Sequence, residues 1–257
     1  MTSRNSSQYL PDIEGFADVK VLPPMDKVLI MPKYFESQYN LIKEIRLKIS
    51  SPVDEDGAHM LIDRNADVET QNLHCLIALL LSPRTKDEIT SATMKDLIDA
   101  GLSVEWIRKT ELDDIDKMIS KVGMHAKKAF NMKAIADILY NTYDNHVPND
   151  YQALLAFPGV GPKIAKLTMQ IAFGENTVGI SVDTHLHRIA RRLGWAYEAK
   201  TPDATAKQLE SYVPVSLWAE INPIVVGFGQ TVCLPVRPKC NKCLLAKEGL
   251  CTSVELQ

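Results

Sequence analysis

The sequence predicts an all-α fold, and three observations carry that prediction. Apolar residues recur at intervals of three and four rather than in alternation. Glycine, proline and Asn/Asp breaks punctuate the chain closely enough to leave only short connections. Four of the five cysteines fall within nineteen residues near the C-terminus, the spacing of a metal-bound loop rather than of a disulfide scaffold.

Taken in chain order, residues 1 to 35, Ser/Asn-rich at the start and carrying Pro23, Pro24 and Pro32, read as a loosely ordered extension. Leu76 to Leu81 is an apolar helical run, and Cys75 just before it reads as a small buried hydrophobe. Leu97, Ile98, Ala100 and Leu102 form one helical set, and Ile115, Met118, Ile119 and Val122 form the next. Phe130, Met132, Ile135, Ile138 and Leu139 form a third. Stops or caps are expected at Gly101, Gly123, residues 145–150, the PGVGP turn, residues 174–179, Gly194 and residues 201–203. No repeat at solenoid period is present, so one compact helical body with a metal-stapled end is the expected architecture.

The 257 residues, 46% hydrophobic and 24% charged, are enough to bury a substantial core. No apolar run approaches the roughly 18 residues that span a bilayer, so no membrane role is expected. Net charge is −3, which argues against indiscriminate coating of nucleic acid, but the charge is segregated. Residues 54–69 hold six acids and one base, whereas residues 158–192 hold five bases and two acids. The basic surface therefore coincides with the motifs, as a phosphate-binding face requires.

FPGVGPKIA, residues 157–165, reads as helix, hairpin, helix. Asn149 or Asp150 caps a short helix, Pro158 and Gly159 stop it, and Pro162 opens the next where its missing N–H costs nothing. The amides of Gly159, Val160 and Gly161, with the positive helix end, form a site for an anion such as a DNA phosphate. A plain helix–helix turn with a solvated Lys163 is the competing interpretation. As a nucleophile, Lys163 must act as the neutral amine, which desolvation and a helix N-terminus both favour. Ser181-Val182-Asp183-Thr184-His185 places a carboxylate ahead of an amphipathic helix, where Asp183 serves as N-cap, as catalytic partner, or as both.

Cys233-x6-Cys240-x2-Cys243-x7-Cys251 suits a tetrahedral metal or an iron–sulfur cube, and the spacing alone leaves zinc open. Arg237, Lys239 and Lys242 intersperse positive charge that is able to meet phosphates.

FPGVGPKIA, VDTHLHRIARRLGW and GFGQTVCLPVRPKCNKCLLAKEGLC together closely resemble the endonuclease III family of DNA repair glycosylases, in its eukaryotic branch. The resemblance runs from about Pro52 to Cys251, with motifs in the family's order and spacing. It implies two helical lobes: a six-helix barrel over residues 66–178, with the helix-hairpin-helix at about 149–173, and a lobe joining residues 36–65 to 179–257 around one 4Fe-4S cluster. DNA is expected in the cleft between them. The resemblance further implies removal of oxidised pyrimidines of the thymine glycol class and strand cleavage at the abasic site by β-elimination. By position, Lys163 matches the Schiff-base lysine, Asp183 the assisting aspartate, and Cys233, Cys240, Cys243 and Cys251 the cluster ligands. Gly159, Val160, Gly161, Arg84, Thr85 and Lys242 are the expected DNA contacts. The implied partner is duplex DNA with damaged pyrimidines or abasic sites, bound by a monomer in the nucleus, with the mitochondrion as a second compartment.

Two departures from the family pattern stand out. Arg84 occupies the position where the family usually carries the glutamine that fills the hole left by a flipped nucleotide, with Pro83 in place of a small residue. An arginine there also fills and stacks, but changes which opposite base it hydrogen-bonds; a solvated Arg at a helix start is the plain alternative. Seven residues separate the last two cysteines where many members have five. The competing functions are a helix-hairpin-helix module that only binds DNA around a structural metal, and a mismatch-specific glycosylase, which would lack the hairpin lysine.

Overall fold

The computed structural model describes residues 31–251 and Ser253. Most of the expected loose extension lies outside the described residues; its last residue, Phe35, opens a helix and is buried. Among the described residues every regular element is helical, in agreement with the apolar spacing.

Helix α1 (Phe35–Arg46) and the short α2 (Pro52–Asp56) precede a continuous series from α3 (Val68–Leu81) to α9 (Pro162–Phe173). Within it lie α4 (Asp87–Asp99), α5 (Val104–Lys109), α6 (Leu112–Met118), α7 (His125–Thr142) and α8 (Tyr151–Leu155). Then come α10 (Thr184–Arg192), α11 (Pro202–Glu210), α12 (Trp218–Thr231) and the short α13 (Leu244–Lys247). Asp67, Ser103, Asp150, Asp183 and Thr201 each accept, through the side chain, a backbone N–H of the helix they begin. Of the two caps open in the sequence for α8, Asp150 is the one used.

Two separate cores form. The first runs from Leu61 to Met169 and has α3 as its strut, with every residue from Asn72 to Leu81 buried against α4, α7 and α9. Cys75 is fully buried in it, as the sequence indicates. Truncating so enclosed a side chain, as in Leu76→Ala, costs about 2–5 kcal/mol. Of the three helical sets, most members are buried here, but Phe130 is 61% exposed because it falls on the outer face of α7. The expected break at Gly123 occurs, with Met124 rather than the glycine in the left-handed region, at φ 60.

The second core joins α1 to α10, α11, α12 and α13. Trp195 stands edge-on to Phe35 at 4.9 Å between ring centroids. Gln38 fixes this junction: Trp195 Nε1 donates to its carbonyl at 2.6 Å, and its amide donates to the Leu250 carbonyl at 2.7 Å. An N-terminal helix is thereby tied to the cysteine segment more than 200 residues away.

The lobes meet at α2, which packs on both α4 and α12. Gln230 of α12 bridges them, accepting from Val53 N–H at 3.1 Å and donating to Asp87 Oδ2 at 2.9 Å.

Candidate active site

Between the lobes opens a cleft of about 1390 Å³. The first lobe contributes Ser82, Pro83, Arg84, Thr85, Gly161 and Lys163, and the second contributes Asp183, His185, Asn222 and Gln230. Lys163 and Asp183, twenty residues apart, thus line one space, each from a different lobe.

Lys163 lies in the first turn of α9, one residue after Pro162, and is exposed. The helix N-terminus expected behind it is present. The desolvation expected around it is not supplied by the protein's own packing. Asp183 is half-buried and caps α10, its Oδ1 accepting Leu186 N–H at 2.7 Å; among the described residues no protein donor meets Oδ2. The cap engages one carboxylate oxygen only, so it leaves the other available.

The two hairpin glycines differ in kind. Gly159 has φ +82, and a Cβ built there collides with the Asn131 amide, so the fold itself demands glycine. Gly161 has φ −96 and nothing within 4 Å of an added Cβ, so the fold itself does not demand glycine there. Of the three hairpin residues named from the sequence, Val160 is buried, and its N–H donates to the Phe157 carbonyl at 3.1 Å within the turn. Among the described residues no protein acceptor meets the Gly159 or Gly161 N–H.

Arg84 is exposed and holds φ +57, a left-handed conformation costly for a residue with a Cβ. Its Nη1 lies 3.9 Å from the sulfur of Met124, itself left-handed and 49% exposed, so two residues with left-handed backbones stand side by side. Thr85 does not cap α4, whose N-cap is Lys86. Instead its hydroxyl accepts Gly123 N–H at 3.1 Å and lies 3.3 Å from Lys128 Nζ.

Lys128 went unnoticed in the sequence because it looks like its exposed neighbour Lys127. It is 6% exposed and donates to the Leu81 and Pro83 carbonyls at 2.7 and 2.6 Å, closing the C-terminus of α3 and holding the Arg84 loop. Burial pulls its ammonium down to about 8.

Cys233, Cys240, Cys243 and Cys251 line one small cavity with Phe228, Val232, Leu245 and Arg192. Arg192 Nη1 donates to Cys233 Sγ at 3.4 Å and to the Leu234 carbonyl at 2.7 Å. Four thiols around one cavity form a donor set that suits a metal centre. Lys242 is exposed in the turn between the second and third cysteines, outside the residues that line the cleft.

A two-lobed helical body with a lysine on a helix-hairpin-helix and a carboxylate across the same cleft defines the helix-hairpin-helix DNA glycosylase class. Residues 77–215 match the family model described as HhH-GPD superfamily base excision DNA repair protein. Endonuclease III-like protein 1 of Mus musculus is 40% identical over 225 residues, 87% of this chain and 74% of that one. The endonuclease III homolog of Schizosaccharomyces pombe is 40% identical over 86% of this chain and 62% of its own. A solved non-covalent endonuclease III–DNA complex superposes with a TM-score of 0.73 at 25% identity, covering 87% of this chain and 97% of that one. A trapped endonuclease III–DNA covalent intermediate also gives 0.73, at 24% identity over 88% and 97%. The chain belongs to the HhH-GPD superfamily of base excision DNA repair proteins, in its endonuclease III family. It is accordingly a DNA glycosylase and abasic-site lyase.

Proposed function

We propose that this glycosylase removes oxidised pyrimidines of the thymine glycol class from duplex DNA and cuts the strand through a Schiff base on Lys163. The observation that carries the proposal is the placement of Lys163 and Asp183 on one cleft, each at the start of a helix. Duplex DNA lies along the hairpin, with a phosphate received by the Gly159 and Gly161 amides and the N-terminus of α9. The damaged nucleotide leaves the stack, at a cost of a few kcal/mol that damage reduces. Arg84 fills the space it vacates.

DNA seated in the cleft supplies the desolvation that the free protein withholds from Lys163. The neutral amine attacks C1′, the bond from C1′ to the base breaks, and the base leaves with a proton. Asp183 stabilises the positive charge developing at C1′. Opening of the sugar ring leaves an imine between Nζ and C1′. Loss of a C2′ proton then expels the 3′ phosphate as the C3′–O bond breaks, and water hydrolyses the imine to restore the amine.

Cys233, Cys240, Cys243 and Cys251 would hold one 4Fe-4S cluster, and their meeting around one cavity together with the endonuclease III membership supports that assignment. When bound, it cross-links the C-terminal loop, keeping Lys242 in place as a phosphate contact. The protein acts as a monomer on nuclear or mitochondrial DNA. Incubation with a duplex carrying one thymine glycol tests the function: the account expects free base and a strand cut by β-elimination. Binding without base release would leave only the DNA-binding module.

A further inference from the structure

The segment from Gly179 to Asp183 links the two lobes, and it is gripped from three helices. On α9, one turn beyond Lys163, Lys166 forms an ion pair with Glu210 of α11 and donates to the Ile180 carbonyl at 3.3 Å. Glu210 Oε1 also accepts Ile180 N–H at 2.7 Å. Gln170 of α9 donates to the Gly179 carbonyl at 2.9 Å, and Asn222 of α12 donates to the Ser181 carbonyl at 2.7 Å.

The grip is tight. Lys166 and Glu210 are only 12% and 22% exposed. Gly179 takes φ +120, and a Cβ built there runs into both partners of the pair. Ile180 is fully buried beneath them, and Asp183 follows three residues later. The helix that carries the lysine is therefore cross-linked to the segment that carries the carboxylate, through one ion pair and the backbone N–H and C=O of one residue, Ile180.

We infer that Lys166 and Glu210 are positioning residues that set the distance between Lys163 and Asp183 across the cleft. The inference rests on the proposed roles of those two groups. A pair serving stability alone would touch any segment of the two lobes; this one holds the few residues that connect the nucleophile's helix to the carboxylate. A displacement of about 1 Å in such an arrangement costs on the order of 100-fold in rate without a matching loss of binding.

The experiment compares wild type, Glu210→Gln, Lys166→Met and the double variant Lys166→Met/Glu210→Leu, which leaves no buried charge unpaired. Three quantities are measured below every variant's melting temperature. They are the single-turnover rate of thymine glycol release, the borohydride-trapped fraction, and affinity for a duplex with a tetrahydrofuran abasic analogue. The double variant is expected to bind the analogue as wild type does while its excision rate falls about 10- to 100-fold. Glu210→Gln, which keeps an acceptor for Ile180 N–H, is expected to fall between the two. Excision rates equal to wild type in the double variant would overturn the inference, as would rate and affinity falling together. Wild type that neither releases base nor forms the adduct would overturn the functional proposal beneath it.

Discussion

Replacing Gly161 by alanine separates what the hairpin does for the fold from what it does for a ligand. Position 161 is the N-cap of α9 with φ −96 and ψ 179, extended backbone open to any residue. An added Cβ meets nothing within 4 Å. Alanine is a poorer N-cap than glycine by about 0.5–1 kcal/mol. The stiffer unfolded chain returns about 0.4–1 kcal/mol, so stability stays close to wild type. Against a phosphate the methyl group pushes the anion away from the amides, forfeiting a charge-assisted hydrogen bond of about 1.5–3 kcal/mol. That corresponds to a loss of about 10- to 100-fold in affinity. Fluorescence anisotropy with an abasic-analogue duplex at fixed salt measures it, beside a thermal melt. Gly159→Ala is the control: left-handed strain and collision with Asn131 cost about 2–4 kcal/mol, lowering Tm by about 5–15 °C. A Gly161→Ala protein that binds DNA as wild type does would refute the placement of the phosphate.

Arg84→Gln is expected to leave Tm unchanged and to alter the ranking of opposite bases, by about 1–3 kcal/mol of discrimination. A panel of lesion duplexes with each opposite base reads this, and an unchanged profile would remove Arg84 from recognition. Lys128→Met strips the Leu81 and Pro83 carbonyls of their donor and is expected to cost about 1–3 kcal/mol of stability. Because folding holds the Lys128 ammonium near 8, below the ordinary lysine range, the unfolded chain binds more protons between about pH 8 and 10. Wild-type stability relative to Lys128→Met therefore rises with pH across that window and is level below it, as paired denaturant titrations will show. Cys243→Ser is expected to lower bound iron from about four atoms per chain and to bleach the visible colour; about one zinc per chain in wild type would overturn the cluster assignment.

The helical class was legible because apolar spacing at three and four residues is a local signal, and the caps at Asp150, Asp183 and Thr201 are local too. The hairpin was legible for the same reason, but the unequal roles of Gly159 and Gly161 were not. They depend on whether Asn131, some thirty residues earlier in the chain, stands over the Cβ position. Lys128, Lys166 and Glu210 escaped because nothing in a charged residue's immediate surroundings tells burial from solvent exposure. Lys127 and Lys128 are adjacent and identical, and only packing against the C-terminus of α3 distinguishes them. The Thr85 hydroxyl accepts from Gly123 N–H, a partner that no local rule supplies. The juxtaposition of Lys163 with Asp183 needed the fold, since the cleft is made by elements from both lobes.

The Schiff base is the central claim, and sodium borohydride tests it by reducing the imine to a stable amine. Incubated with a thymine glycol duplex and borohydride, the wild-type protein is predicted to give a covalent protein–DNA adduct, and Lys163→Ala a folded protein with none. An adduct of undiminished yield in Lys163→Ala would contradict the assignment of Lys163 as the nucleophile.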